Sequence, residues 1–144
     1  MAQRKEIEDY LKTSKSLVLG TVDKDGNPQI RHLGGYGVDG IQVYISTSKE
    51  SDKVKQIAQN PNVAAIFHHE GQTPPNLKNI TLYGKAKLLT GDEFIKAIDI
   101  IKARRPQANV NPETNNIYRI ETEEVKILDF AQGPVQVLQA KDIQ

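Results

Sequence analysis

The sequence predicts an antiparallel β-sheet with flanking helices, curled toward a barrel. Three observations support this. Apolar runs of strand length recur along the chain, as at residues 16–22, 41–46 and 62–68. Turn residues separate the early runs, with Asp25-Gly26 between the first two and Val38-Asp39-Gly40 before the third. Helical spacing then interrupts the series at Ile7, Tyr10 and Leu11, again at Val54, Ile57 and Ala58, and at Phe94, Ile98 and Ile101. Hairpins broken by helices give an antiparallel sheet, and six or more strands in 144 residues tend to close.

In chain order, residues 4–13 read as a short helix. Residues 16–22 form a buried strand, 23–28 a turn, and 29–36 a returning strand. Residues 41–46 complete a three-strand meander. The second helix stops at Asn60-Pro61, where proline forbids continuation. Residues 62–68 are a fourth strand and 71–77 a loop. Residues 79–89 are a long fifth strand whose Gly84 marks a bulge or a close backbone approach. Thr90-Gly-Asp-Glu opens the third helix, 105–112 is a loop, and 117–120 and 125–130 read as a last strand pair. The tail is weakly patterned. With no repeat, linker or low-complexity tract, residues 1–144 are expected to be a single domain.

Composition excludes several functions. Net charge is +1 with basic residues dispersed, which opposes nucleic-acid binding. The absence of cysteine excludes disulfides, thiolate metal sites and cysteine nucleophiles. His68 and His69 diverge as strand neighbours and lack further ligands, so no metal site is expected. No apolar run is long enough to span a membrane, and the charged N-terminus lacks a signal-peptide core. The expected location is cytoplasmic, without membrane or nucleic-acid partners.

The segment richest in chemistry is Val43-Tyr-Ile-Ser-Thr-Ser-Lys-Glu-Ser-Asp-Lys53. An apolar strand runs into hydroxyl residues, then into the first turn of a helix whose leading N–H groups lack internal partners. Thr47 and Ser51 offer hydroxyls. Lys53 sits where a cation is disfavoured unless an anion is present. The competing reading is a capping box of Thr47 and Glu50. Arg31 and His32 are neighbours on a strand, so one of them at most faces a given site.

The order of these motifs resembles the pyridoxamine 5′-phosphate oxidase-like flavin split-barrel family over about residues 5–130. The opening hairpin is carried by Leu19-Gly-Thr-Val-Asp-Lys-Asp-Gly-Asn-Pro28 and the second strand by Gln29-Ile-Arg-His-Leu33. Tyr44-Ile-Ser-Thr47 with Ser51 and Lys53 is similar to the phosphate-binding junction. Asn79-Ile-Thr-Leu-Tyr-Gly-Lys-Ala-Lys87 resembles the long fifth strand.

The resemblance implies a mainly β, six-stranded antiparallel split β-barrel of the FMN-binding type. It also implies a homodimer with the cofactor at the subunit interface. FMN would be met by the end of the second strand at Arg31, His32 and Leu33. Ser46 and Thr47 would lie beside ring and phosphate, Ser51 and Lys53 would hold the phosphate, and Asn79 would touch the isoalloxazine.

The implied function is an FMN-binding oxidoreductase of unassigned small-molecule substrate, a flavin-dependent reductase. The alternative is a non-catalytic flavin- or deazaflavin-binding stress protein. Two departures stand out. Asp52 occupies a position that is basic in the oxidases, and residues 125–144 hold neither the tryptophan nor the arginine with which those enzymes grip their substrate. Efficient pyridoxamine phosphate oxidation is therefore not expected.

Overall fold

Side-chain alternation sorts the chain into an inside and an outside. In β1 (Leu17–Val22), Leu17, Leu19 and Thr21 are buried, while Val18, Gly20 and Val22 face away from the core. This period of two is what a half-buried strand requires. The structure is a computed structural model describing residues 2–133 and 135–143. Its elements are α1 (Ala2–Thr13), β1, β2 (Pro28–Leu33), β3 (Tyr36–Asp39), β4 (Gln42–Ser48), α2 (Asp52–Gln59) and β5 (Asn62–His68). They continue with β6 (Lys78–Leu88), α3 (Gly91–Arg104), β7 (Asn115–Asp129), β8 (Gln136–Gln139) and a 3₁₀ turn at Ala140–Asp142.

The pairings form one antiparallel sheet in the order β2-β1-β5-β6-β7-β4-β3, with β8 added to β7. The two ends of this order, β2 and β3, are consecutive in the chain and joined through Gly34-Gly35. The sheet therefore curls back on itself as a half-barrel, as the sequence led us to expect. Leu19, Val43, Ile45, Phe67, Ile80, Leu82, Ile120 and Val125 fill its interior. α1 adds Ile7, Tyr10 and Leu11 to this core. A smaller core of Tyr44, Leu89, Ala97, Ile101 and Ile117 lies beneath α3.

The strand count differs from the expected six: eight strands occur among the described residues. The run at 29–36 is not one strand. It breaks at Gly34-Gly35, where the chain leaves β1 and crosses to β4, and the Ser46 N–H donates to the Gly35 carbonyl at 3.2 Å. Val38 and Asp39 are strand residues paired with Val43 and Gln42, not a turn. The reversal falls on Gly40, whose φ of +64° suits glycine and whose N–H donates to the Glu8 carboxylate at 2.7 Å. The expected final pair is one continuous strand, β7, and the weakly patterned tail supplies β8.

Arg104, at the end of α3, locks three pieces together. Its guanidinium donates to the carbonyls of Gly34 (2.9 Å), Tyr36 (3.3 Å), Lys15 (2.9 Å) and Ser14, and lies 3.6 Å from the Tyr36 ring centroid. It thereby satisfies carbonyls just beyond the end of α1 and at the β2–β3 corner.

Gly84 is both a bulge site and a close approach. The register jumps from Tyr83↔Glu124 to Gly84↔Thr122, leaving Glu123 as the extra residue of β7. A Cβ on Gly84 would press into the Glu121 carbonyl, with its carbon at 2.9 Å. Gly84→Ala is therefore expected to destabilise the fold by about 1–3 kcal/mol, the usual cost of overpacking, seen as a lower urea midpoint. An unchanged midpoint would show that β7 has room to shift.

Candidate functional site

Arg31 lies on the core-facing side of β2, opposite Leu19, while His32 is exposed on the other side, opposite Val18. Because β2 is an edge strand, no further strand covers Arg31, and its guanidinium reaches across β1 to α2. It donates to Thr21 Oγ1 at 2.7 Å, to Gln56 Oε1 at 2.8 Å and, more weakly, to the Leu19 carbonyl at 3.4 Å. Thr21 also donates to Gln56 Oε1. Three of the five guanidinium donors are thus engaged.

At the start of α2, Ser51 is the N-cap residue by backbone conformation but makes no capping bond. Its hydroxyl instead meets Thr47 Oγ1 at 3.0 Å. The competing reading, a capping box of Thr47 and Glu50, does not form, because Thr47 points inward and is spent on Ser51. The leading N–H groups of α2 are therefore not taken by a capping side chain, which is the condition for accepting an anion there.

The charges agree with this geometry. Partial burial holds Lys53 below the ordinary lysine value. The Arg31 cation pushes in the same direction, and Asp52 opposes both. Burial likewise lowers Arg31, with Asp52 opposing. Lys53 thus lies in the field of the Arg31 cation, and the one carboxylate of Asp52 acts on both, leaving net positive charge at a helix N-terminus. A phosphate monoester fits this donor set: it is dianionic and accepts from cations, hydroxyls and backbone N–H groups together.

The remaining candidates fall elsewhere. Leu33 packs against the main core. Ser46 is on the opposite side of β4 from Thr47. With Thr47 it nonetheless lines one cavity of about 340 Å³, together with Gly35, Arg105, Asn109 and Asn115. Asn79, the second residue of β6, lies on its outer side, opposite His68, in a cavity of about 550 Å³ that also includes Ile66, His69 and Gln72. Arg31, Thr47, Ser51 and Lys53 are therefore grouped around the start of α2. His32 and Asn79 share the outer face of the sheet.

Three residues were missed by the sequence reading. Thr21 is a polar residue at an inward strand position, and Gln56 follows Lys53 by three on the same helix; both spacings were visible signals. Arg105, assigned to a loop, is a cation beside Ser46 that only the turn after α3 brings there.

A curled antiparallel barrel with a cationic helix start against its edge strand defines a split-barrel protein. More specifically, the chain belongs to the pyridoxamine 5′-phosphate oxidase family, whose model matches residues 3–129. General stress protein 26 of Bacillus subtilis is 28% identical over 90% of this chain and 90% of its own. The pyridoxine/pyridoxamine 5′-phosphate oxidase of Bombyx mori is 34% identical over 65% of this chain, which spans 33% of that enzyme. Among solved structures, a heme-binding protein from Mycobacterium smegmatis superposes with a TM-score of 0.81 at 16% identity, covering 93% of this chain and 57% of its own. That last likeness is one of fold. No helix among the described residues is long and apolar enough to cross a membrane.

Lys53 carries a charge that the ligand-free protein leaves poorly compensated. The folded state binds this proton less well than the unfolded chain. The associated destabilisation is present at neutral pH and fades as pH rises through the lowered value toward 10.5. Ligand-free Lys53→Met is expected to show a higher urea midpoint than the parent at pH 7, with the gap closing near pH 10.5. A lower midpoint at pH 7, or a gap that widens with pH, would contradict this charge balance.

Proposed function

We propose that this protein binds FMN and acts as a flavin-dependent reductase of a small molecule. The observation that carries the reading is the paired field of Arg31 and Lys53 at the start of α2. Arg31, Lys53 and the α2 N–H groups would hold the terminal phosphate, with the one O–H of the Thr47–Ser51 pair that is not donated within the pair as hydroxyl donor. Asp52 weakens the field without cancelling it. When bound, the flavin supplies the electron chemistry. The chain's contribution is to position it and neutralise its phosphate, so a separate catalytic acid or base is not required. Asn79 is assigned to the ring side of the site, on the outer face of the sheet.

FMN is favoured over FAD because the sequence has no glycine-rich dinucleotide turn and the donor set suits one terminal phosphate. Titration followed by flavin fluorescence is expected to show tighter binding of FMN. Ser51→Ala combined with Lys53→Ala should weaken FMN by about tenfold or more, since a charge-assisted hydrogen bond contributes about 1.5–3 kcal/mol. Equal or tighter FAD binding, or an unaffected double variant, would place the phosphate elsewhere.

The second reading, a flavin-holding stress protein without turnover, is favoured by one observation. The chain matches nearly the full length of general stress protein 26 but a third of the silkworm oxidase. Bleaching of the yellow FMN-loaded protein by NADPH or NADH, followed by reduction of an added acceptor, supports the reductase. Stable colour in their presence supports the holder.

The assembly is proposed to be a cytoplasmic homodimer. The outer face of β2-β1-β5-β6 carries Ile30, 76% exposed, beside Val18, Ala64, Ile66 and Tyr83. An apolar face of this kind is a normal site for a partner. Light scattering should report twice the 16.1 kDa chain mass. Ile30→Lys should shift the protein to monomer. A parent that runs as a monomer at micromolar concentration would refute the dimer.

A further inference from the structure

We propose that Gln56 is a positioning residue of the phosphate site: its side-chain oxygen orients the Arg31 guanidinium toward the anion. This rests on the FMN reading above and goes one layer deeper. Gln56 lies in α2 and Arg31 in β2, with β1 between them, so their contact is tertiary. Gln56 Oε1 accepts from Arg31 Nη2 at 2.8 Å and from the Thr21 hydroxyl. The amide can face Arg31 in one way only, because arginine donates and never accepts. Thr21 in turn accepts from Arg31 Nη1 at 2.7 Å. The three side chains form a closed triangle.

This triangle solves a specific problem. Arg31 projects from an edge strand, has many rotamers, and meets a repelling cation in Lys53. Left alone, it would swing to solvent or toward Asp52 and close the site. With Nη1 spent on Thr21 and Leu19, and one Nη2 hydrogen on Gln56, the Nε–H and the second Nη2–H remain for a ligand. Two guanidinium N–H groups are what bidentate recognition of a phosphate uses. Gln56 is also neutral, so it restrains Arg31 without consuming its charge. A glutamate would hold Arg31 as well and cancel the charge.

The test compares FMN with riboflavin, which differs by the phosphate, in the parent, Gln56→Leu and Gln56→Glu proteins. Flavin fluorescence quenching gives both affinities. The parent should favour FMN. Gln56→Leu frees the guanidinium, and Gln56→Glu neutralises it. Each should lower the FMN-to-riboflavin affinity ratio by about tenfold or more while riboflavin affinity stays near that of the parent. Gln56→Glu keeps both acceptor contacts, so it should fold as stably as the parent, and its loss of ratio then reports on charge and not on packing. If the ratio in Gln56→Glu and Gln56→Leu equals that of a phosphate-preferring parent, the positioning role is overturned. If the parent itself binds riboflavin as tightly as FMN, the phosphate site falls, and the positioning role falls with it.

Discussion

β7 pairs with β6 along most of its fifteen residues, with β4 through its first part and with β8 through its second. The two halves of the chain meet on this one ladder. The meander that supplies Thr47 is held by β7 on one side, and the β5–β6 hairpin that supplies Asn79 by β7 on the other. A strand serving both must bend, and the extra residue Glu123 beside Gly84 is where it does so. Glycine at 84 is thus a requirement of the fold's curvature, transmitted to the site through the placement of β4.

The site itself lives on a conflict of charge. Arg31 and Lys53 are partly desolvated and repel one another, and Asp52 offsets this in part. Burying like charges without a paired anion opposes folding, so such an arrangement persists where something outside the chain completes it. The chain tolerates the conflict because the surrounding structure is well held. Arg104 ties α1, α3 and the β2–β3 corner together through backbone carbonyls, and Tyr36 sits beneath it, fully buried.

Much of this was legible in the residues. Strands β1, β5 and β6 announced themselves by apolar content, α2 by its spacing and its stop at Pro61, and the site by hydroxyls running into Lys53. The failures have local causes. Gly34-Gly35 was absorbed into a strand because glycine leaves no apolar mark, yet that corner is what lets the chain change partners. Val38-Asp39 was read as a turn because Asp-Gly is a turn signal, and the register moved the reversal to Gly40. β7 was divided because Glu121, Glu123 and Glu124 interrupt its apolar pattern, where the bulge tolerates them. Gln56 was passed over because a glutamine on a helix surface carries no signal until β1 and β2 are packed against it.

On the proposed reading, the α2 corner holds a dianionic phosphate. The most direct measurement is ³¹P NMR of the FMN-loaded protein across a pH series. Free phosphate monoesters take up their second proton near pH 6. Held between Arg31, Lys53 and the α2 N–H groups, the bound phosphate should show a displaced resonance that stays constant well below that pH. A bound FMN whose phosphate titrates as it does in water would contradict the claim.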